Sequence, residues 1–173
     1  MYDPAALEAL VAPPSREVPP VDWQQLEERL EFALPLDYKW LVERYGPGSF
    51  GDFFRVFQPA CQRQGIDLEY QHERTSWALE YLVERGHSLP RMPSELLAFG
   101  RSDNGDVAYW ITSSSDDPNN WKVAVGEARG PLWEEFDGGV VEWLTAVLSR
   151  SYRVAIFPKD FPRRHPAFHP YDL

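Results

Sequence analysis

The spacing of apolar residues in the first third of the chain predicts a helix, a glycine-rich turn and a strand. Large apolar residues recur at intervals of three and four positions: Tyr38, Leu41, Val42 and Tyr45. This spacing places them on one face of a helix. Gly46 and Pro47 then favour termination. The bulky residues of Phe53–Phe57 favour a strand directly after the turn.

Two helices are predicted upstream of this segment. Asp3 followed by a proline is typical of a helix start, and this first helix would run to Val11. Asp22 can cap a second helix, whose apolar face carries Trp23, Leu26 and Leu30. The intervening segment 12–21 carries four prolines and is expected to be an extended connector.

The longest predicted helix covers residues 67–85 and is closed by Gly86. We expect Trp77, Tyr81 and Leu82 to mark its buried side, with Tyr70 extending it. The charged residues between them would face solvent.

The strongest β signal is a hairpin around Asn104-Gly105, a dipeptide that accepts positive φ at both central turn positions. Its strands would be Leu96–Phe99 and Val107–Thr112. Two further strands are predicted at Trp121–Val125 and Leu132–Phe136.

A closing helix is expected after Asp137, which can serve as its N-cap. Its apolar residues fall on one face: Val140, Val141, Leu144, Val147 and Leu148. Tyr152–Phe157 could add an edge strand. The remaining segment holds prolines, aromatic and basic residues without periodicity, so it is either a tail packed by its aromatic residues or a flexible terminus.

Composition narrows the class of protein. A 173-residue chain with 43% hydrophobic residues and seven tryptophans predicts one globular domain. No apolar run approaches the roughly 20 residues that cross a bilayer, and no signal pattern opens the chain, so a cytoplasmic protein without a membrane partner is expected. The single Cys61 excludes an internal disulfide and is expected to be a small hydrophobic residue rather than a nucleophile.

The formal net charge of −10 is unevenly distributed. Between residues 103 and 142, nine acidic residues stand against Lys122 and Arg129, a balance of −7. An acidic surface repels nucleic acid and attracts basic proteins. The alternative interpretation is that acidity only keeps the protein soluble.

Patterns for catalysis, metals and cofactors are weak. Pro166 separates His165 from His169, and no further ligands stand at zinc-binding spacing. The 103–106 turn lacks the acidic residue that a calcium loop needs at its twelfth position. The glycine-rich turn after Tyr45 carries no lysine and follows a helix, unlike a phosphate-binding loop. We therefore expect no cofactor, no metal and no catalytic residue.

The candidate residues for binding a partner are acidic, with one aromatic residue beside an acidic loop: Asp103, Asp106, Asp116, Asp117, Trp121, Glu134 and Glu135. Trp121 is interpreted as the exception among tryptophans that otherwise build the core, because an aromatic next to acidic residues suits an interface.

Three segments carry a resemblance to the SMI1/KNR4 (SUKH) superfamily. Leu34–Phe50, LPLDYKWLVERYGPGSF, resembles its leading motif of Leu-Pro, an aromatic, an apolar helix and a glycine-rich turn. Leu96–Thr112, LLAFGRSDNGDVAYWIT, resembles its central hairpin. Leu132–Leu148, LWEEFDGGVVEWLTAVL, resembles the strand that leads into its closing helix.

The strand pattern and the resemblance together imply an α+β fold, a central and mainly antiparallel sheet of five or six strands with helices packed around it. One domain would span residues 1–173, with its core at 22–150. Residues 1–21 would form the N-terminal helix and connector, and residues 151–173 the tail.

The resemblance also implies a function. Many bacterial members of the superfamily are immunity proteins, which bind and neutralise a toxin, frequently a nuclease. The expected partner is thus a basic toxin domain, and direct nucleic-acid binding is not expected. A regulatory or scaffold domain without a toxin partner is the alternative, and an enzyme is a third reading. The sequence leaves the oligomeric state open.

Overall fold

A seven-stranded antiparallel sheet organises the computed structural model, which describes residues 3–172. In chain order the strands are β1 (Gly48–Phe50), β2 (Phe54–Val56), β3 (Leu96–Ser102), β4 (Val107–Ile111), β5 (Lys122–Gly126), β6 (Trp133–Phe136) and β7 (Phe168–Pro170). Their spatial order is β6-β5-β4-β3-β2-β1-β7, and every neighbouring pair is antiparallel. The predicted α+β class is confirmed, with seven strands rather than five or six.

Five helices accompany this sheet in the described part of the chain: α1 (Pro4–Leu10), α2 (Trp23–Leu30), α3 (Leu36–Tyr45), α4 (Leu68–Glu84) and α5 (Val140–Leu148). The apolar stripe predicted for α3 is confirmed, since all four of its residues are buried. Asp3, Asp22 and Asp67 cap the first, second and fourth helices by accepting backbone N–H groups at 2.8 to 3.1 Å. No helix within residues 3–172 has the length and apolar character needed to span a membrane.

Aromatic residues form the centre of the core where α3 and α5 cover one face of the sheet. The Trp110 ring lies 5.0 Å from the Tyr38 ring of α3, and Phe54 lies 5.0 Å from Trp143 of α5. Successive residues of a strand point to opposite faces, so Arg55 and Tyr109 project from the other face. α4 packs against β3.

The prediction for the buried side of α4 is wrong for its aromatic residues, whereas Leu82 is partly buried as expected. Trp77 is 66% exposed and Tyr81 is 41% exposed, whereas the buried positions are Leu68, Gln71, Thr75 and Leu79. The polar residues there form internal hydrogen bonds, although Gln71 Oε1 has no partner among residues 3–172. Gln71 Nε2 donates to the Gln64 carbonyl at 2.7 Å, and Thr75 Oγ1 donates to the Gln71 carbonyl at 2.7 Å.

The predicted N-cap of α5 is also wrong. Asp137 is exposed and pairs with Lys122 at 2.9 Å instead of capping the helix. The cap comes from α3, where the buried Asp37 Oδ2 accepts the N–H of Val141 at 3.1 Å. A carboxylate at a helix N-terminus satisfies donors that the helix itself leaves free.

The C-terminal segment packs onto the core through its aromatic residues. The edge strand predicted at Tyr152–Phe157 is wrong, because this segment forms turns, and the strand at this edge is instead β7, paired with β1. Phe157 and Phe161 contact Phe53 at 5.2 and 4.6 Å between ring centroids. Of the two alternatives left open by the sequence, the structure shows the packed tail.

Candidate functional site

The solvent-facing side of α4 carries a row of aromatic residues beside a row of glutamates. The aromatic row is Tyr70, Trp77 and Tyr81, and the glutamate row is Glu73, Glu80 and Glu84. Each glutamate follows an aromatic residue by three positions, which makes the two rows neighbours along the helix. All six residues are exposed.

The aromatic row is held in a defined arrangement. The rings of Trp77 and Tyr81 stack with centroids 5.6 Å apart and an angle of 15° between their planes. Arg85, one turn after Tyr81, holds the Tyr81 ring in place. Its Nη2 donates to the Tyr81 hydroxyl at 2.8 Å, and its guanidinium lies 5.2 Å from the ring centroid. Aromatic side chains already fixed in position lose little conformational entropy when a partner covers them.

The glutamate row keeps its negative charge available. Glu73, Glu80 and Glu84 form no ion pair with any residue in the 3–172 range. Glu69, one turn earlier, differs: it receives two hydrogen bonds from Arg29 at 2.8 and 2.9 Å, which lower the pKa of this carboxyl group. The row therefore presents unneutralised charge directly beside apolar surface.

A pocket of about 420 Å³ opens beside the glutamate row, between α4 and the start of β3. Phe32, Leu97 and Trp121 give it an apolar wall, while His72 and Ser76 of α4 form its rim. Burial lowers the pKa of His72, so the imidazole is neutral at physiological pH. The pocket is thus a largely apolar recess in the same surface, with Glu80 of the glutamate row at its edge.

Two of the sequence-predicted binding residues lie in the interior. Asp106 is buried in the β3–β4 turn, where it accepts hydrogen bonds from Ser102 Oγ at 2.7 Å and from the N–H of Ala128 at 3.0 Å. Trp121 is buried against Trp110, and its Nε1 donates to the Ser115 carbonyl at 2.9 Å. The expectation that Trp121 stands outside the core is wrong, because the acidic residues beside it in sequence belong to a loop that turns away.

The other five predicted residues are accessible but do not converge. Asp103 pairs with Arg55, at the hairpin end of the sheet. Asp116 and Asp117 lie in the β4–β5 loop at the opposite end, where Asp117 accepts the N–H of Asn119 at 3.0 Å.

The remaining two acidic residues are neighbours on β6 and therefore point to opposite faces of the sheet. Glu134 accepts the N–H of Ala155 at 2.9 Å. Glu135 pairs with Arg91 at 2.8 Å, which lowers the pKa of that carboxyl group. Contact between any of these residues and a partner stays a prediction.

A second cavity, a cleft of about 570 Å³, lies between the proline-rich connector, α2 and residues 58–63. Cys61 lines it and is half-buried against the core. The ionisable residues of the cleft are engaged elsewhere: Asp22 caps α2, Arg29 pairs with Glu69, and Arg63 donates to the Asp172 carbonyl at 2.7 Å. Within residues 3–172, no three His, Cys, Asp or Glu residues are grouped so that they could hold a metal ion.

Sequence reasoning missed the two rows of α4, although a signal was present. Leu68, Leu79 and Leu82 also recur at helical spacing, on a different side from Trp77 and Tyr81. Both the leucine set and the aromatic set fit the helical period. The large aromatic side chains made the aromatic set look like the buried one, and that choice was wrong. The hydrogen bonds that bury Gln71 and Thr75 decide between them, and they cannot be read from periodicity.

An antiparallel sheet packed with helices, with stacked aromatic residues exposed on one helix, defines the chain as an α+β protein with a candidate interaction surface. The model of the SMI1 / KNR4 family (SUKH-1) matches residues 17–143, and the chain belongs to this family. The resemblance seen in the sequence motifs is confirmed, and the match ends within α5, before the packed tail. Searches of curated proteins and of solved structures gave no match.

Proposed function

We propose that this protein is a non-catalytic binding module, and that it serves as an immunity protein that binds and neutralises a cognate toxin. The observation that carries the proposal is the exposed, stacked pair of Trp77 and Tyr81 on α4. Tryptophan and tyrosine are the residues most enriched among those that dominate binding energy at protein interfaces. Membership of the SMI1 / KNR4 family supports the toxin-neutralising role.

The charge distribution supports a basic partner, such as a nuclease toxin domain. The chain carries a net charge of −10, and the unpaired glutamate row places part of it beside the aromatic row. The accessible acidic residues predicted from the sequence add to the overall negative charge from other parts of the surface, where Asp103 and Glu135 are ion-paired: Asp103, Asp116, Asp117, Glu134 and Glu135. Complementary charge speeds association and orients the two proteins before the aromatic residues are buried.

A binding role also fits the state of the ionisable side chains. In the cleft beside Cys61, Asp22 caps α2, Arg29 pairs with Glu69 and Arg63 donates to a carbonyl oxygen. In the pocket beside α4, burial lowers the pKa of His72. Neutralisation by direct binding requires no cofactor and no reacting group from this chain.

Co-expression with the product of each adjacent gene, followed by pull-down and a growth assay, tests the proposal. We expect one such product to be toxic alone and harmless when this protein binds it. Trp77→Ala should weaken that binding at least about tenfold, as expected for an interface anchor. Leu132→Ala is the matched control, because Leu132 is also an exposed apolar residue but lies outside α4.

Full binding and protection by Trp77→Ala would refute α4 as the binding surface. Binding without protection would instead favour the scaffold function. Electrostatic steering is tested separately by stopped-flow association rates. These should fall steeply between about 0.05 and 0.5 M salt, and equal rates would exclude steering.

A further inference from the structure

Two arginines face each other across neighbouring strands of the sheet. The antiparallel register pairs Arg55 of β2 directly with Arg101 of β3, on the same face. Like charges in directly opposite positions destabilise a sheet, because their side chains lie within about 5 Å of each other at Cβ. An arrangement of this kind needs a counter-charge.

Only one of the two arginines has that counter-charge. Arg55 pairs with Asp103, and its Nε donates to the Tyr171 hydroxyl at 2.5 Å. The side chain of Arg101 forms no hydrogen bond or ion pair with any residue from 3 to 172, and its Nε is enclosed without a partner. The other half-buried arginines, Arg16 and Arg91, each make two hydrogen bonds to carbonyl or carboxylate oxygens.

The surroundings of Arg101 add positive charge instead of removing it. Burial lowers the pKa of the Arg101 guanidinium, and the charges of Arg74, exposed on α4, and of Arg55 lower it further, while Tyr109 acts in the opposite direction. An arginine remains protonated at any physiological pH. A net negative protein thus holds a local positive cluster, and the two Nη atoms of Arg101 are not enclosed.

We propose that Arg101, with Arg74 beside it, forms an oxyanion site that binds a carboxylate of the partner protein. This inference rests on the proposed function, because it names a chemical feature of the same partner. Arg74 precedes Trp77 by three positions, so the site borders the aromatic row. A carboxylate is favoured over a nucleic-acid phosphate because the net charge of −10 repels a polyanion.

The oxyanion site makes the binding surface asymmetric in charge, so that it favours one orientation of the partner. The glutamate row lies on one flank of the aromatic row and Arg74 on the other, so a basic partner with one well-placed acidic side chain fits in one orientation. Reversing the partner would bring like charges together on both flanks, and this opposes the wrong register.

The sign of a stability change tests whether Arg101 lacks a partner in the free protein. Arg101→Met keeps the aliphatic stem and removes the unpaired charge, so we expect Tm to rise by about 2 °C for a chain of this length. Arg91→Met is the matched control, because Arg91 is half-buried and bound to Glu135, and its Tm should fall or stay unchanged. A fall in Tm for Arg101→Met would overturn the proposal by giving Arg101 a structural role.

Anion binding can be measured without the toxin. Inorganic phosphate, titrated against chloride at equal ionic strength, should shift the Arg101 Nε–Hε NMR signal along a saturable curve and leave the Arg91 signal in place. Equal or linear shifts of both signals would overturn the oxyanion site.

A third experiment measures the affinity of the protein for the toxin identified by co-expression. Arg101→Met should bind that toxin at least about 30-fold more weakly than the wild type while being the more stable protein, since truncating one member of a buried charge pair is costly. Unchanged affinity would overturn the assignment of a carboxylate ligand. If the wild type binds no toxin, the proposed function fails, whereas the stability and NMR arms still decide the oxyanion site.

Discussion

Replacement of Asp37 by alanine tests the contact that joins α3 to α5. Asp37 is 7% exposed, and its two carboxylate oxygens accept the N–H of Tyr38 at 2.7 Å and the N–H of Val141 at 3.1 Å. The second bond spans 104 positions of the chain and supplies the N-cap that Gly139 cannot provide from a side chain. The substitution therefore removes a tertiary cap and leaves buried donors without acceptors.

The expected cost follows from two opposing effects. Loss of an N-cap costs about 0.5–2 kcal/mol, and an unpaired buried N–H costs about 1–3 kcal/mol. Removal of a buried carboxylate returns part of this, because burial is the main cause that raises the pKa of Asp37 above its ordinary 3.8. We expect the free energy of unfolding to fall by about 2 kcal/mol at pH 7, or Tm to fall by about 4–8 °C.

Urea denaturation of the wild type, Asp37→Ala and Asp137→Ala measures this cost. Asp137→Ala is the matched control, since Asp137 was the cap predicted from sequence but its side chain is 87% exposed. We expect this control to change stability by less than about 0.5 kcal/mol. Equal losses in the two variants, or a larger loss in the control, would refute the assignment of Asp37 as the cap.

The pH dependence gives the same experiment a second outcome. A carboxyl group whose pKa is raised in the folded state contributes stability that is fully present below its unfolded pKa of 3.8. That contribution is lost as pH rises through the folded pKa. The destabilisation by Asp37→Ala, taken relative to the wild type at each pH, should consequently be larger near pH 4 than at pH 7.

Three further predictions concern the same framework. Gly139→Ala should lower the free energy of unfolding, because the new Cβ would lie 2.6 Å from Asp37 Oδ2. In the Asp37→Ala background this loss should be smaller by at least about 1 kcal/mol, which a double-mutant cycle measures. Phe168→Ala should cost about 3 kcal/mol in urea, since this ring of β7 packs on core aromatics; an unchanged midpoint would place the tail outside the cooperative unit. His72 should titrate below 6.5 by NMR, so the stability it contributes is present above pH 6.5 and lost as pH falls; a midpoint above 6.5 would contradict burial as the cause.

Features fixed by neighbouring residues were predictable from the sequence. Three such features depend on residues only a few positions apart, and the structure contains each of them: the α3 stripe, the caps Asp3 and Asp22, and the hairpin around Asn104-Gly105. Hydrophobic spacing and turn chemistry operate over that range. The order of the strands in the sheet and the pairing of β7 with β1 lie beyond it.

Features that depend on distant residues were not predictable. Asp137 lies two residues before Gly139, the N-cap position of α5, and the carboxylate that accepts an N–H of the first turn comes instead from Asp37 of α3. Trp121 and Asp106 stand among exposed acidic residues, yet both are buried by contacts with residues elsewhere in the chain. Trp121 packs on Trp110, and Asp106 accepts the N–H of Ala128. Arg55 and Arg101 become a pair only when β2 and β3 align.

The orientation of α4 connects stability with function. Burial of an aromatic side chain stabilises a core more than burial of Gln71 or Thr75, so burial alone would favour a rotation that placed Trp77 and Tyr81 inward. Besides the hydrogen bonds of Gln71 and Thr75, the start of the helix holds the observed orientation: Asp67 caps it, and its other oxygen accepts the N–H of Cys61 at 2.9 Å. Because Trp77 and Tyr81 stay exposed, the isolated chain does not gain the free energy of burying their apolar surface. If the proposed partner covers α4, it would recover this free energy on binding, and a carboxylate bound by Arg101 would add to it.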